Sequence, residues 1–282
     1  MGTTTTTDPT LHLPRVLCLH GGGVTGEIFR LQARGLVFHL STSFRLVFAD
    51  APFFCDAGPG IIPVYAGMGP YRRWLRWLPH HQAVDADTAV EEIRYHVESA
   101  MDEDDRQGAT GEWVGFMGFS QGAKVSASLL FEHQRRRRCL QEEGRPVRGY
   151  EGDNVETKLW GQDWRFAVLM AGRSPLVAFS PDAESFPFQT AGDADSGEDR
   201  GPVQDEALLK LPTFHVHGLK DVGIHLHRQL LNQYCSKDSV ELMEWDGDHR
   251  VPVKTSDVQV FVDKMLLTAR KAGVEPGVGK KT

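Results

Sequence analysis

The chain has 282 residues, 40% of them hydrophobic, which is enough to bury one large α/β core. Its 31 Lys and Arg against 38 Asp and Glu give a formal charge of −7, which excludes a general nucleic-acid binder with its basic excess on one face. No apolar stretch reads as a signal peptide or a membrane span, and Cys18, Cys55, Cys139 and Cys235 have no paired spacing, so a reduced, cytoplasmic protein is expected.

The opening "MGTTTTTDPT" satisfies the loose myristoylation pattern through Met1, Gly2 and Thr6, but its composition reads as a disordered leader over residues 1–12. "RVLCLH" (15–20) is an apolar strand, followed by one helix over 26–40 and a second strand, "FRLVFAD" (44–50). An aromatic-rich segment (53–77) precedes an acidic, capped helix over 85–105. "WVGFMG" (113–118) is the next strand, and the helix from Gln121 ends in Arg135-Arg136-Arg137-Arg138, which reads as a solvated, dipole-matched helix end. Three further strands lie at 164–172, 212–218 and 240–245, with helices after the last two. Apolar strands separated by helices predict a mostly parallel sheet covered on both faces, in one domain over 13–271. Two polar, Gly/Pro-rich stretches interrupt it, 139–163 and 180–207; the second is acidic enough to be either a lid or disordered. Residues 272–282 read as a disordered tail.

Gly118-Phe119-Ser120-Gln121-Gly122 lies between a strand and a helix rich in small residues. That is the context of a nucleophile elbow, in which a serine is exposed on a tight, strained turn. A hydroxyl becomes nucleophilic when a base takes its proton, and in this arrangement the acid and the histidine follow the serine along the chain. Asp221 stands just beyond the 212–218 strand and His249 just beyond the 240–245 strand. Asp246 and Asp248 are too near His249 in sequence to serve it easily, and His215 and His217 fall within a strand, where His217 is a candidate support for the loop. Backbone amides of an oxyanion hole are expected from Gln121 and from the glycine loop "LHGGGVTG", where Gly22 and Gly23 are equal candidates. That loop lacks the Lys-Ser/Thr of a P-loop and the dinucleotide spacing. His80-His81 and His225-x-His227 lack partners at metal-site spacing, so no metal and no cofactor are expected.

In the order "LCLHGGG", "FADAPF", "GPGIIPVYAGMGPYRRW", "GFSQGA", "HGLKD", "GDHRVP", the chain resembles the fungal-type serine hydrolases, a family that includes the thioesterase releasing the polyketide of the lovastatin pathway. The resemblance runs from about Pro14 to about Lys271. It implies an α/β-hydrolase fold with Ser120, Asp221 and His249 on the triad positions and Gly22, Gly23 and Gln121 on the oxyanion loop. It further implies a stand-alone thioesterase or esterase that unloads a polyketide synthase, with a general short-chain carboxylesterase and a non-catalytic binding protein as alternatives. Phe53, Phe54, Tyr65, Tyr71 and Trp74 are candidate walls of an apolar acyl pocket, and Arg72, Arg73 and Arg76 candidate contacts to an acidic acyl carrier domain.

Overall fold

The computed structural model describes residues 8–143, 157–195, 197 and 200–277. In chain order its elements are β1 (Arg15–Leu19), α1 (Gly26–Gln32), α2 (Arg34–Leu40), β2 (Arg45–Ala49), β3 (Phe53–Cys55), β4 (Tyr71–Arg73), α3 (Ala86–Arg106), β5 (Trp113–Phe119) and α4 (Gln121–Glu143). There follow β6 (Phe166–Met170), β7 (Val177–Ala178), β8 (Gln189–Thr190), β9 (Thr213–Gly218), α5 (Ile224–Gln229), β10 (Val240–Trp245) and α6 (Thr255–Lys271). Six strands form one parallel sheet in the order β10-β9-β6-β5-β1-β2; β3 pairs antiparallel with β4, and β7 parallel with β8.

Alternation along the strands divides the core into two layers. Leu17 and Leu19 of β1 join Ile93, Val97 and Met101 of α3 and Val125 and Leu129 of α4 on one face. Val16 and Cys18 join Phe29, Leu36, Leu40 and, from α6, Val258, Phe261 and Met265 on the other. Both faces are therefore covered, as near-continuous apolar strands require. The start of α3 is fixed by Asp85, whose side chain accepts from the Thr88 amide at 2.9 Å. The single helix expected over 26–40 is two. The backbone leaves helical geometry at Ala33 (φ −91, ψ 12), so Phe29 packs on Phe48 and Phe119 while Leu36 and Leu40 turn into the layer that holds α6. The helix expected after the 212–218 strand is α5 followed by one wide π turn, Leu230–Tyr234.

Several stretches expected to be loose are packed. Asp8 pairs with Arg45 at 2.7 Å and Leu13 is buried, while at the other end Val274 is buried and the Gly277 amide donates to the Ser43 carbonyl at 3.0 Å. The leader and tail are thus corrected over 8–12 and 272–277, because each closes a polar or apolar gap at the rim of the sheet; the remainder of both lies outside the described residues. The arginine run is solvated only in its second half, where Arg137 and Arg138 are 49% and 43% exposed. Arg135 is buried and donates to Glu132 at 2.9 Å and to Ser180 Oγ at 2.6 Å, Arg136 lies over the Trp160 ring, and Arg137 pairs with Asp163. These cations hold both polar insertions against α4. Of the first insertion, 144–156 lie outside the described residues.

The 180–207 stretch carries Phe186 and Phe188 into an aromatic group with Phe131 and Tyr234. It also supplies Asp195, which faces Lys124 in the interior: Lys124 Nζ lies 2.6 Å from Asp195 Oδ1 and 2.7 Å from Gln189 Oε1, with both charged side chains at most 1% exposed. Burial pushes the Asp195 carboxyl up, and Lys124 and Arg173 more than offset it, holding it below the usual carboxylate range. Asp195→Ala leaves the ammonium uncompensated, and an expected loss of about 3–5 kcal/mol follows from removing one partner of a buried pair. Urea unfolding checks this; a loss below about 1 kcal/mol would show that Lys124 finds other partners.

Candidate active site

Ser120 sits between β5 and α4 with φ 53, a left-handed conformation that a β-carbon rarely tolerates. The turn is tight because β-carbons at Gly118 or Gly122 would overlap the backbone carbonyls of Gly122 and Leu19. The Ser120 amide is spent on the Met170 carbonyl at 2.8 Å, which ties the elbow to the neighbouring strand β6.

Asp221 and His249 come together because the exits of β9 and β10 are laced to each other. The Leu219 amide donates to the Trp245 carbonyl at 2.9 Å and the Lys220 amide to the Gly247 carbonyl at 2.8 Å. His249 Nδ1 lies 2.6 Å from Asp221 Oδ2 and its Nε2 lies 2.9 Å from Ser120 Oγ. The carboxylate can only accept, so Nδ1 carries the proton and Nε2 is left to accept from the serine hydroxyl. Asp246 and Asp248 point elsewhere, to Lys220 at 2.7 Å and Arg250 at 3.3 Å. Burial pushes the Asp221 carboxyl up; hydrogen bonds from His227, His249 and the Gly223 amide more than offset it and hold it well below the usual carboxylate range.

The glycine loop is held from behind. The buried His20 accepts from the Ala51 amide at Nε2 (3.0 Å) and donates from Nδ1 to the Gly21 carbonyl at 2.7 Å, while Trp74 Nε1 donates to the His20 carbonyl at 2.8 Å. The Gly23 amide is already committed to the Arg72 carbonyl at 2.9 Å, which removes Gly23 from the pair of equal candidates. Among the described residues, the amides of Gly22 and Gln121 are in no such bond. The Gln121 side chain locks the elbow to the aromatic segment: Oε1 accepts from the Trp74 and Leu75 amides (2.8 and 3.0 Å) and Nε2 donates to the Leu75 carbonyl at 3.0 Å.

The expected acyl-pocket aromatics are placed differently. Trp74 is fully buried core, and Phe53 packs against the same core under the Arg73 guanidinium. Phe54 is exposed beneath Arg72, and Tyr65 and Tyr71 pack on a small cluster of Val24, Ile28 and Ile61. Four of the five thus lie against core or satellite apolar groups, and Phe54 stands at the surface. Trp77, from the same segment, stands against the glycine loop, close enough that a β-carbon at Gly22 would come within 2.8 Å of it. Arg72 and Arg73 are engaged as well, donating to the carbonyls of Ala51 and Gln82 at 3.0 Å each.

A second histidine reaches Asp221. His227 Nε2 lies 2.9 Å from the same Oδ2 that His249 uses, so Asp221, His227 and His249 bring three potential ligand atoms within 4.8 Å. Spacings of 2.6 and 2.9 Å are those of shared protons; ligands about 2.0–2.1 Å from a tetrahedral zinc stand roughly 3.3 Å apart. Sequence gave no sign of His227's partner, because its place one turn into α5 acquires meaning only when α5 lies against the Asp221 loop.

The family model described as Serine hydrolase (FSH1) matches residues 10–261. Esterase pigG of Monascus ruber is 47% identical over 276 residues, covering 95% of each chain. Esterase citA of Monascus ruber is 44% identical over 267 residues (94% of this chain, 96% of that one), and esterase claE of Penicillium crustosum is 43% identical over 281 (97% and 100%). Among solved structures, a fungal esterase of Rhizomucor miehei superimposes with a TM-score of 0.51 at 15% identity, covering 95% of this chain and 77% of that one; the likeness is one of fold, the α/β-hydrolase fold. No helix among the described residues is long and apolar enough to cross a membrane. With a serine on a strained elbow, a histidine within hydrogen-bond reach of it and 252 of 282 residues inside the family match, the chain belongs to the FSH1 family of serine hydrolases.

Proposed function

We propose that the protein releases a carboxylic acid from an ester or thioester through an acyl-serine on Ser120, and that the acyl group is a polyketide-type chain presented by the acyl carrier domain of a synthase. The observation that carries the chemistry is the unbroken run of hydrogen bonds from Ser120 through His249 to Asp221. His249 takes the hydroxyl proton as Oγ attacks the carbonyl carbon, and Asp221 stabilises the imidazolium so formed. The amides of Gly22 and Gln121 are the free donors for the oxyanion. Collapse of the tetrahedral intermediate breaks the bond to the leaving alcohol or thiol, which receives the proton from His249. Water then repeats the sequence on the acyl-serine and frees the acid.

The substrate class rests on the relatives named as esterases and on the resemblance to polyketide-releasing hydrolases. A cytoplasmic location accords with four free cysteines. The test is hydrolysis of acyl-N-acetylcysteamine thioesters against matched p-nitrophenyl esters across chain lengths. Preference for long or polyketide-like thioesters supports carrier-bound substrates. Activity confined to short oxygen esters would replace that reading with a general carboxylesterase.

A further inference from the structure

His227 is buried, with its two ring nitrogens facing two oxygens: Nε2 is 2.9 Å from Asp221 Oδ2 and Nδ1 is 3.0 Å from the Gly172 carbonyl. Neither a carboxylate nor a carbonyl can donate. A neutral imidazole has one N–H and one lone pair, so either tautomer would aim a lone pair at an oxygen lone pair. Only the doubly protonated ring satisfies both contacts. The opposite oxygen of the acid, Oδ1, takes the Gly223 amide at 2.8 Å, so the carboxylate is held from three sides.

The surroundings fit a single cation here. His217 of β9 has its ring 5.8 Å from His227 and both its nitrogens buried without a partner, and His215 lies 5.9 Å beyond it. Burial pulls both His217 and His215 down, to about 4 and about 3, so neither competes for the charge. On α5 itself Arg228 is paired with Glu244 of β10 at 2.7 Å; Asp221 bonds His227 directly, and the His249 ring lies 6.0 Å away. Gly172 follows Ala171 at the end of β6, the strand whose Met170 carbonyl holds the Ser120 amide. His227 therefore ties the strand beside the nucleophile to the acid.

We propose that His227 is a positioning residue for Ser120, Asp221 and His249: as a doubly protonated imidazole it clamps the Asp221 carboxylate and shares its negative charge. The inference rests on the catalytic reading of those three residues given above. Sharing that charge weakens the pull of Asp221 on the His249 imidazolium that forms as Ser120 gives up its proton.

Two measurements test this. In long-range ¹H–¹⁵N spectra of the ¹⁵N-labelled wild type at pH 7, both His227 nitrogens should show protonated-type shifts; one protonated and one bare nitrogen would overturn the proposal. The assignment comes from His227→Gln, which can still donate to Asp221 but carries no charge. In that variant the acid limb of the kcat/KM profile should move up by about one pH unit, the size of effect a unit charge 6.0 Å away exerts in a partly solvated site. His227→Ala, which loses the clamp too, should lower kcat about 10–100-fold with KM unchanged, because His227 does not touch substrate. An unmoved acid limb in folded His227→Gln would reduce His227 to a structural histidine. The spectra of the wild type decide the protonation state even if a variant does not fold. Retained turnover in Ser120→Ala would instead sink the underlying catalytic assignment while leaving the His227 spectra unaffected.

Discussion

Ser120→Ala should abolish turnover of both esters and thioesters, by about 10⁴-fold or more, with the unfolding midpoint unchanged. The loss is large because Oγ is the atom poised to form the acyl bond: His249 Nε2 stands 2.9 Å from it, within reach of its proton. Removing the hydroxyl leaves oxyanion donors with nothing to stabilise. The fold should be indifferent, because Ser120 is held through its backbone, with its amide on the Met170 carbonyl and its carbonyl accepting from the Ala123 amide at 3.0 Å. Steady-state kinetics, thermal unfolding and labelling by a fluorophosphonate read the three consequences. Turnover near the wild-type level in the folded variant would remove Ser120 from the mechanism, and absent labelling of the wild type would favour a binding protein on a hydrolase fold.

Stability should fall steeply as the solution is acidified from about pH 6.5 to pH 5, well above the range in which carboxylates titrate. Burial pulls His20, His133 and His217 down to about 4 and His215 to about 3. Each is neutral in the folded protein at pH 6, whereas in the unfolded chain it takes a proton below about 6.5. The unfolded state then binds more protons than the folded one, so the free energy of unfolding drops as pH drops, until the folded-state values near 4 and 3 are reached. Each histidine contributes a slope of up to about 1.4 kcal/mol per pH unit within that window. Four together remove several kcal/mol by pH 5, a large part of what a domain of this kind has. Asp221 and Asp195 work in a lower range: both are held below the usual carboxylate range, and their contribution is lost only as pH falls below about 4. Denaturant midpoints at pH 7, 6 and 5 check the prediction, and a flat profile between 7 and 5 would show that these histidines reach water.

The alternation of apolar strands and amphipathic helices was enough to read the sheet, because side-chain period and strand length are local properties. Ser120 was legible for the same reason: its elbow is written within five residues, with glycines where backbone carbonyls leave no room for a side chain. Asp221 and His249 followed from chain order, each at the exit of a recognisable strand. The aromatic segment was not sorted by its sequence. Six rings between residues 53 and 77 carry no local mark that sends Trp74 to the core, Tyr65 and Tyr71 to a satellite cluster and Trp77 to the glycine loop.

The arginine run and the acidic insertion show the same divide. Charge alone reads as solvation, and Lys124 and Asp195 are buried only because each meets the other from far along the chain, while Arg135 pairs with Glu132 on its own helix and with Ser180 across from it. By itself, then, the sequence determined the strand order of chemistry: a serine on an elbow, an acid and a base on later loops, on an α/β-hydrolase sheet. Tertiary structure decided what depends on who is already hydrogen-bonded to whom. Gly23's amide is spent on Arg72 while Gly22's is free, and Asp221 serves two histidines instead of one. Those choices belong to contacts that only the folded chain makes, from the six positions between Asp221 and His227 to the 28 between Asp221 and His249, where desolvation favours the pairing of buried donors and acceptors.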